Sequence, residues 1–162
     1  MELKSFKEWK ETHLTEITKK SYIVKWFDVD NGKFYINNEH YVIEFDDNIC
    51  KNLVGFKFYR MIENKKVTSY IKSKEPSSVM YTIQKILEKY IKQHKPKVLA
   101  FLGDNNEPSR VKKYRKYTLA LSTKFGYYWD EDTLADSQVY LLFKDVEHLD
   151  VECINNIKNK FS

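Results

Sequence analysis

The chain has 162 residues, of which 42% are hydrophobic and 31% charged, and its net charge is +5. This length and balance predict one soluble globular domain with a core of its own, and they exclude a disordered chain or a small fold that depends on disulfides or a metal ion. No apolar run approaches the ~20 residues of a membrane span, so we expect no membrane partner.

Two cysteines, Cys50 and Cys153, stand far apart in the sequence without a partner spacing. This usage predicts reduced thiols. The first 20 residues contain no apolar segment typical of a signal peptide. Together these features predict a cytoplasmic protein, which for a phage product means the host cytoplasm or the virion. The positive charge permits attraction to nucleic acid or to an acidic protein, and solubility alone also explains it.

The first half of the chain predicts one amphipathic helix followed by antiparallel strands, because helical spacing of apolar residues gives way to aromatic and β-branched runs. Asn31 and Gly32 lie between two such runs and are typical of a hairpin turn, since both tolerate positive φ. The predicted elements are a helix over about 2–20, strands over 22–27, 34–36, 40–45, 54–61 and 67–71, and a turn over 63–66.

The second half changes period. Apolar residues from Val79 to Ile91 form one wide helical stripe, with Ser77 or Ser78 suited to begin the helix and Pro96 to end it. The continuous apolar run 98–102 is typical of a strand that is buried on both faces. The remaining predicted elements are a helix over 108–125 that Gly126 ends, strands over 127–129 and 138–143 around an acidic loop at 130–137, and a helix over about 151–160.

The order of antiparallel strands followed by strand, helix, strand, helix and two strands resembles the GNAT acetyltransferase fold. The segment 106–116, followed by Phe125-Gly126-Tyr127, is similar to the pattern of that family's last helix. The stretch 71–102 also resembles small phage-encoded proteins of this layout. The resemblance covers about residues 54–143. It implies an α+β fold with a mixed, mostly antiparallel twisted sheet and a GNAT-like C-terminal half.

In the GNAT family a glycine-rich loop begins the central helix, where backbone N–H groups bind the pyrophosphate of acetyl-CoA. The corresponding segment here, 72–78, has no glycine and contains Glu75 and Pro76, so its shape departs from the family's. An enzyme would also need the strands at 67–71 and 98–102 to splay apart and open a cleft beside this segment. The resemblance implies four candidate cofactor-binding residues, which are Lys72, Lys74, Ser77 and Ser78.

The family's catalytic acid corresponds to two positions in this chain. Counting back from Gly126 gives Ser122, whereas the local Tyr-x-Lys context gives Tyr114. Since these two criteria disagree, both residues are candidates, and the sequence leaves the catalytic group open.

The altered loop leads to a main hypothesis without catalysis. It is a non-enzymatic accessory or binding protein on an acetyltransferase-like fold, phage-encoded, which binds a host or virion protein, needs no cofactor and is open to homodimerisation. The alternative is an acetyl-CoA-dependent N-acetyltransferase with an atypical pyrophosphate loop. The sequence leans toward the first and leaves the question of an enzyme open.

A third hypothesis is a nucleic-acid-binding module. The densest basic cluster lies on the predicted helix at 108–125, next to two tyrosines, and such a surface binds phosphates or stacks on bases. The outer, solvated face of a helix gives the same pattern. The basic residues are Arg110, Lys112, Lys113, Arg115 and Lys116.

We expect no metal site. The four histidines are scattered, and neither an H-x-x-x-H nor a C-x-x-C pattern occurs. Asp28, Asp30 and Gly32 resemble part of a calcium loop, but the glycine position and the flanking strands favour a hairpin.

Overall fold

The computed structural model describes residues 24–28, 30–67, 76–104, 108–133 and 137–161. The predicted helix over 2–20 lies outside these residues. The strands of the described residues are β1 Lys25–Trp26, β2 Asn31–Ile36, β3 Glu39–Cys50, β4 Leu53–Ile62, β5 Lys65–Val67, β6 Val98–Asp104, β7 Tyr128–Thr133 and β8 Ser137–Phe143. The helices are α1 Pro76–His94, α2 Pro108–Phe125, a 3₁₀ turn at Val146–His148 and α3 Val151–Phe161.

The strands form one sheet in the order β1-β2-β3-β4-β6-β8-β7, and β5 pairs with β4 beside this path. The paired strands are antiparallel, except that β4 and β6 are parallel. The α+β class and the mixed, mostly antiparallel sheet are therefore confirmed.

The first hairpin differs from the prediction. Asn31 and Gly32 lie within β2, where Gly32 is opposite Trp26, so they do not form the turn. The turn precedes them because the Asp28 carboxylate accepts hydrogen bonds from the backbone N–H groups of Asp30 and Asn31, both at 2.8 Å. A two-residue turn with positive φ does occur one connection later, at Asn37 and Asn38, with φ of 48° and 67°.

Three other predicted boundaries also shift. The strand predicted at 67–71 begins earlier, at Lys65, because Glu63 and Asn64 alone form the turn, with φ of 51° and 63°; residues 68–71 lie outside the described residues. β3 extends beyond its predicted end to Cys50. The acidic stretch predicted as a loop is mostly strand, since β7 pairs with β8 as far as Thr133.

Helices α1 and α2 cover one face of the sheet. The apolar stripe of α1, including Val79, Ile83 and Ile91, is buried against an aromatic sheet surface. Phe45 stacks on Tyr90 of α1, with ring centroids 3.8 Å apart. The predicted stripe is therefore part of the larger of the two hydrophobic cores in the described part of the chain.

Helix α3 covers part of the opposite face. Its Cys153 and Ile157 pack with Val98 and Leu141 in a second, smaller core. Cys50, at the end of β3, and Cys153 form a disulfide with a Cα–Cα distance of 5.8 Å. The prediction of reduced thiols is wrong, because the fold brings together two cysteines that are 103 positions apart.

Candidate functional site: the cleft between β4 and β6

The two parallel strands at the centre of the sheet pair for a short distance and then diverge. Their pairing runs from Leu53 opposite Val98 to Phe56 opposite Phe101. β4 continues to Ile62 and β6 continues to Asp104 beyond the last pair. A splay between parallel strands is what the enzyme alternative required. It involves β4, however, and not the strand that the sequence predicted at 67–71.

The edge of β4 that faces the opening has two partners. β6 pairs with it up to Phe56, and β5 pairs with it from Arg60. Residues 57–59 lie between these two pairings, next to the point where β5 continues into residues 68–75, which are outside those the structure describes.

An apolar cleft lies above the opening, between α1 and α2; its side chains pack closely and leave room of only ≈20 Å³ for water-sized molecules. Nearly all of its lining side chains are apolar or aromatic, so the cleft favours an apolar chain and excludes water. Its lining comes from β4 (Phe56, Phe58), β6 (Phe101, Leu102), α1 (Met80, Ile83, Gln84, Leu87) and α2 (Tyr114, Tyr117, Leu121).

Tyr114, one of the two predicted acid candidates, forms part of the cleft wall. Its side chain is 5% exposed and packs against Phe101 and Tyr140, with ring centroids 6.4 and 5.7 Å away. Gly103 makes this position possible, since a Cβ there would come within 2.6 Å of the Tyr114 ring. Sequence reasoning missed Gly103, although a glycine at the end of an apolar strand signals a close approach.

A second buried phenol lies behind Tyr114. Tyr140 has no exposed surface, and its hydroxyl has no hydrogen-bond partner among the described residues. Burial, together with the neighbouring Glu131 carboxylate, raises the pKa of Tyr140 to about 12. Burial also raises the pKa of Tyr117 in the cleft wall. Tyr117 and Tyr140 therefore both keep their protons at neutral pH, and sequence reasoning did not single out Tyr140.

The start of α1 borders the cleft, because Met80 and Ile83 of its first turns line it. Ser77 is exposed, whereas Ser78 is buried, and the Ser78 carbonyl accepts a hydrogen bond from Thr82 Oγ1 at 2.8 Å. The other two predicted cofactor contacts, Lys72 and Lys74, lie outside the described residues. Binding of an anion by these four residues therefore stays a prediction. The two that the structure describes, Ser77 and Ser78, belong to the start of α1 beside the cleft.

Ser122, the other acid candidate, lies at the end of α2 and does not line the cleft. Its hydroxyl donates to the Tyr127 carbonyl, and the Tyr127 N–H donates to the Ser122 carbonyl at 3.0 Å. Gly126, with φ of 70°, completes this helix end. The fold does not bring the two acid candidates together.

The predicted basic cluster follows the outer surface of α2. Lys112, Lys113 and Lys116 are exposed. Arg115 donates to Glu131 at 2.9 and 3.1 Å, and this hydrogen bond with its charge raises the pKa of Arg115. Arg110 lies in the first turn of α2, but its side chain is outside what the structure describes. Binding of nucleic acid by this surface stays a prediction.

The described residues offer neither a metal-binding group nor a membrane-spanning helix. No group of three or more histidine, cysteine, aspartate or glutamate side chains among them is arranged to hold a metal ion. None of the helices within these residues is both long enough and apolar enough to cross a membrane.

Comparison with known proteins found similar solved structures. One is the N-acetyltransferase PseH of Campylobacter jejuni, 13% identical, with a TM-score of 0.40 over 88% of this chain and 84% of that one. Another is a variant of the spermidine N-acetyltransferase SpeG of Vibrio cholerae, 12% identical, with a TM-score of 0.41 over 93% of this chain and 81% of that one. No protein-family model and no curated protein sequence matches the chain.

The strand order and the mixed sheet agree with the GNAT-like layout that the sequence predicted, and the similar structures are N-acetyltransferases. The comparisons do not support the main functional prediction, a non-enzymatic binding protein, because both similar structures are named as N-acetyltransferases, the class of the enzyme alternative. The resemblance to phage-encoded proteins stays a prediction.

Proposed function

We propose that this chain is an acetyl-CoA-dependent N-acetyltransferase in which the pyrophosphate segment lacks the usual glycines. One observation carries the proposal: β4 and β6 separate after Phe56 and Phe101, beneath an apolar cleft between two helices. This is the arrangement that the GNAT resemblance requires for the cofactor.

The residues present fit acetyl-CoA. Its pantetheine arm is a narrow chain with amide groups, which requires apolar walls and a backbone edge for hydrogen bonding. The cleft supplies apolar walls in Phe101 and Leu87, and β4 runs beneath it beyond its last pair with β6 at Phe56. The start of α1, with the exposed Ser77, supplies a helix N-terminus for the phosphates.

Acetyl-CoA would supply an activated thioester, from which an amine takes the acetyl group. The residues of the chain bind the arm, exclude water and hold a proton at the Tyr114 hydroxyl. A phenol in the cleft wall is suited to protonate a departing thiolate, and general acid catalysis of this kind contributes about 10²–10⁴-fold to a rate. Tyr114 is therefore the favoured acid, and Ser122 is engaged with Tyr127 outside the cleft.

The first test is calorimetric titration of the full chain with acetyl-CoA and with CoA. We expect saturable binding at micromolar ligand. Met80→Trp places a large ring at the partly exposed edge of the cleft. It should weaken acetyl-CoA binding at least about tenfold, because the ring occupies space that the ligand needs in a closely packed site. Leu119→Trp, on an exposed site of α2 outside the cleft, is the matched control and should leave affinity unchanged. Absence of binding at millimolar ligand would refute the proposal.

The second test addresses Tyr114. Release of CoA thiol is followed with a panel of primary amines, and Tyr114→Phe should lower kcat by about 10²-fold or more while acetyl-CoA affinity stays unchanged. If kcat were unaffected in a variant that still binds acetyl-CoA, Tyr114 would not be the acid.

A further inference from the structure

The face of the sheet opposite α1 and α2 is covered unevenly. α3 lies over one part of it, where the smaller core forms. In β2, Phe34 and Ile36 belong to the larger core, so the alternate residues Lys33 and Tyr35 lie on the other face of the sheet. Neither Lys33 nor Tyr35 belongs to either of the two cores in the described part of the chain. We call the surface around these two residues the open face.

Two aromatic rings and one ammonium group form the centre of the open face. Tyr35 is 50% exposed, and Phe27, which follows β1, is 59% exposed. Lys33 Nζ lies 5.1 Å from the ring centroid of Phe27 and 5.8 Å from that of Tyr35. Such large rings are commonly buried, and exposed apolar patches of this kind mark surfaces that bind a partner. The cation therefore stands between two rings that both reach solvent.

The Tyr35 ring is held in place by the neighbouring strand. Its cross-strand partner His40 stacks on it, with ring centroids 4.6 Å apart at an angle of 20°. Burial, together with the charge of Lys33, lowers the pKa of His40, so the imidazole is uncharged at neutral pH and packs as a flat aromatic ring. A partner that stacks on the exposed part of Tyr35 thus meets a ring that has little freedom left to lose.

The charge of the open face is mainly positive. Lys25 is the cross-strand partner of Lys33, and no ion pair within the described residues engages either of them. The Glu44 carboxylate, on the same face, is already paired with Lys66. Asp28 lines a cavity with residues of α1, so its carboxylate belongs to the opposite side of the sheet. Two copies of the open face would repel each other, and an anionic partner is favoured.

We infer that the open face around Phe27, Lys33 and Tyr35 is a binding site for single-stranded nucleic acid. Bases stack on Phe27 and Tyr35, and Lys33 binds the phosphate between them. The order of ring, cation and ring matches the order of base, phosphate and base along a strand. A duplex fits less well, because its bases are already stacked on one another. An acidic protein would satisfy the charges but would make no use of the two rings.

The inference does not depend on the proposed acetyl transfer, because the cleft lies on the face of the sheet that α1 and α2 cover. It also uses a different surface from the basic cluster on α2.

Fluorescence anisotropy of a labelled single-stranded oligothymidylate, about 12 nucleotides long, tests the site with the full chain at low ionic strength. We expect saturable binding at micromolar protein and weaker binding of a duplex of the same length. Phe27→Leu with Tyr35→Leu keeps apolar side chains but removes both stacking surfaces, and this double variant should weaken binding at least about tenfold. Lys33→Gln should weaken binding of every sequence alike and reduce the salt dependence by about one ion.

Two control variants separate the open face from the rest of the surface. Tyr128→Leu removes a ring that is 64% exposed on β7, and it should change affinity by less than about twofold. Lys112→Gln with Lys113→Gln and Lys116→Gln removes charge from the surface of α2, and it should cost less affinity than the loss of the two rings.

Five results would each overturn the inference. They are absence of binding, unchanged affinity of the double variant, a duplex bound as tightly as the single strand, a larger loss from the α2 variant than from the double variant, and displacement of the oligonucleotide by acetyl-CoA. The last result would place the oligonucleotide in the cleft.

Discussion

The base and the mouth of the β4–β6 pair differ in how they are held. At the base, defined by Leu53–Phe56 and Val98–Phe101, the two strands pair directly, and the Val98 N–H donates to the Asn52 carbonyl at 3.0 Å. The smaller core and the Cys50–Cys153 disulfide lie beside this paired part. At the mouth, the strand segments beyond these pairs, the two strands have separate partners, β5 for β4 and β8 for β6.

The difference explains how a packed protein can keep an opening at its centre. Two parallel strands that part would normally lose backbone hydrogen bonds and buried contacts along their whole length. Here a second core packs against the base, and a disulfide joins the adjoining end of β3 to α3, so the loss is confined to the mouth. The opening then becomes a feature of the folded state that a ligand can occupy.

Removing the disulfide should have the largest effect, because it acts on the base. Cys50→Ser with Cys153→Ser should lower the free energy of unfolding by about 2–5 kcal/mol, as expected for a link between residues far apart in sequence. Urea unfolding measures this loss, and chemical reduction of the original chain should reproduce it. The folded variant should still bind acetyl-CoA, since the mouth is intact. A variant of unchanged stability would show that the base does not need the covalent link.

Filling the space above Gly103 acts on the mouth. Gly103→Ala should lower the free energy of unfolding by about 1–3 kcal/mol, because the new methyl group meets the buried Tyr114 ring. It should also weaken acetyl-CoA binding by moving Tyr114 into the cleft. Urea unfolding and calorimetry measure the two effects.

A double-mutant cycle with Tyr114→Leu provides the control for Gly103. The shorter side chain should relieve the overlap, so that Gly103→Ala costs clearly less in this background. Equal costs in both backgrounds would mean that the glycine is needed for the backbone and not for the ring.

Elements whose signal lies within one segment of the sequence were predicted, whereas features that depend on contacts between distant segments were not. The stripe of α1 and the apolar run of β6 were predicted correctly, because burial of one helix face and burial of both strand faces each leave a distinct pattern of apolar residues. The prediction of a turn at Asn31-Gly32 was wrong, because the Asp28 carboxylate accepts a backbone N–H bond from Asp30 and so forms the turn earlier. Composition alone does not reveal this bond. The disulfide was missed because its cysteines meet only in the tertiary structure.

The same limit applies to the site. Tyr114 was singled out because its local pattern resembles a family motif, and the fold places it in the cleft wall, but its role as the acid stays a prediction. Gly103 and Tyr140 were not found, because their roles come from contacts across the sheet with Tyr114. The strand that splays from β6 was also misassigned, since the short β5 lies between β4 and α1 in the sequence.

The ion pair between the two helices that flank the cleft offers a smaller test. The Glu88 carboxylate is buried on α1 and lies 3.1 Å from Lys124 of α2, whose side chain is half exposed. Glu88→Gln should lower the free energy of unfolding by about 0.5–1 kcal/mol, because solvent screens the lysine. The difference should shrink in high salt, and acetyl-CoA affinity should not change. A loss of affinity would mean that this contact between the helices holds the shape of the cleft.

The smallest effect concerns Asp30, in the turn between β1 and β2. Burial and like charges raise its folded pKa above the ordinary value of 3.8, so ionising it costs the folded state more than the unfolded state. Asp30→Asn should therefore stabilise the protein slightly at neutral pH, within about 0.5 kcal/mol, and the gain should fade as the pH drops through the folded pKa and vanish below 3.8.

Asp28→Asn is the matched variant for Asp30, because hydrogen bonding lowers the pKa of Asp28 and so reverses the sign. Its ionised form stabilises the fold above 3.8, and this contribution is lost as the pH falls through the lower folded pKa. Asp28→Asn should thus destabilise the protein at neutral pH, and urea midpoints measured across the acid range test both variants. If Asp30→Asn were also destabilising at neutral pH, the surroundings of Asp30 would stabilise its ionised form, against the direction in which burial and the neighbouring carboxylates shift its pKa.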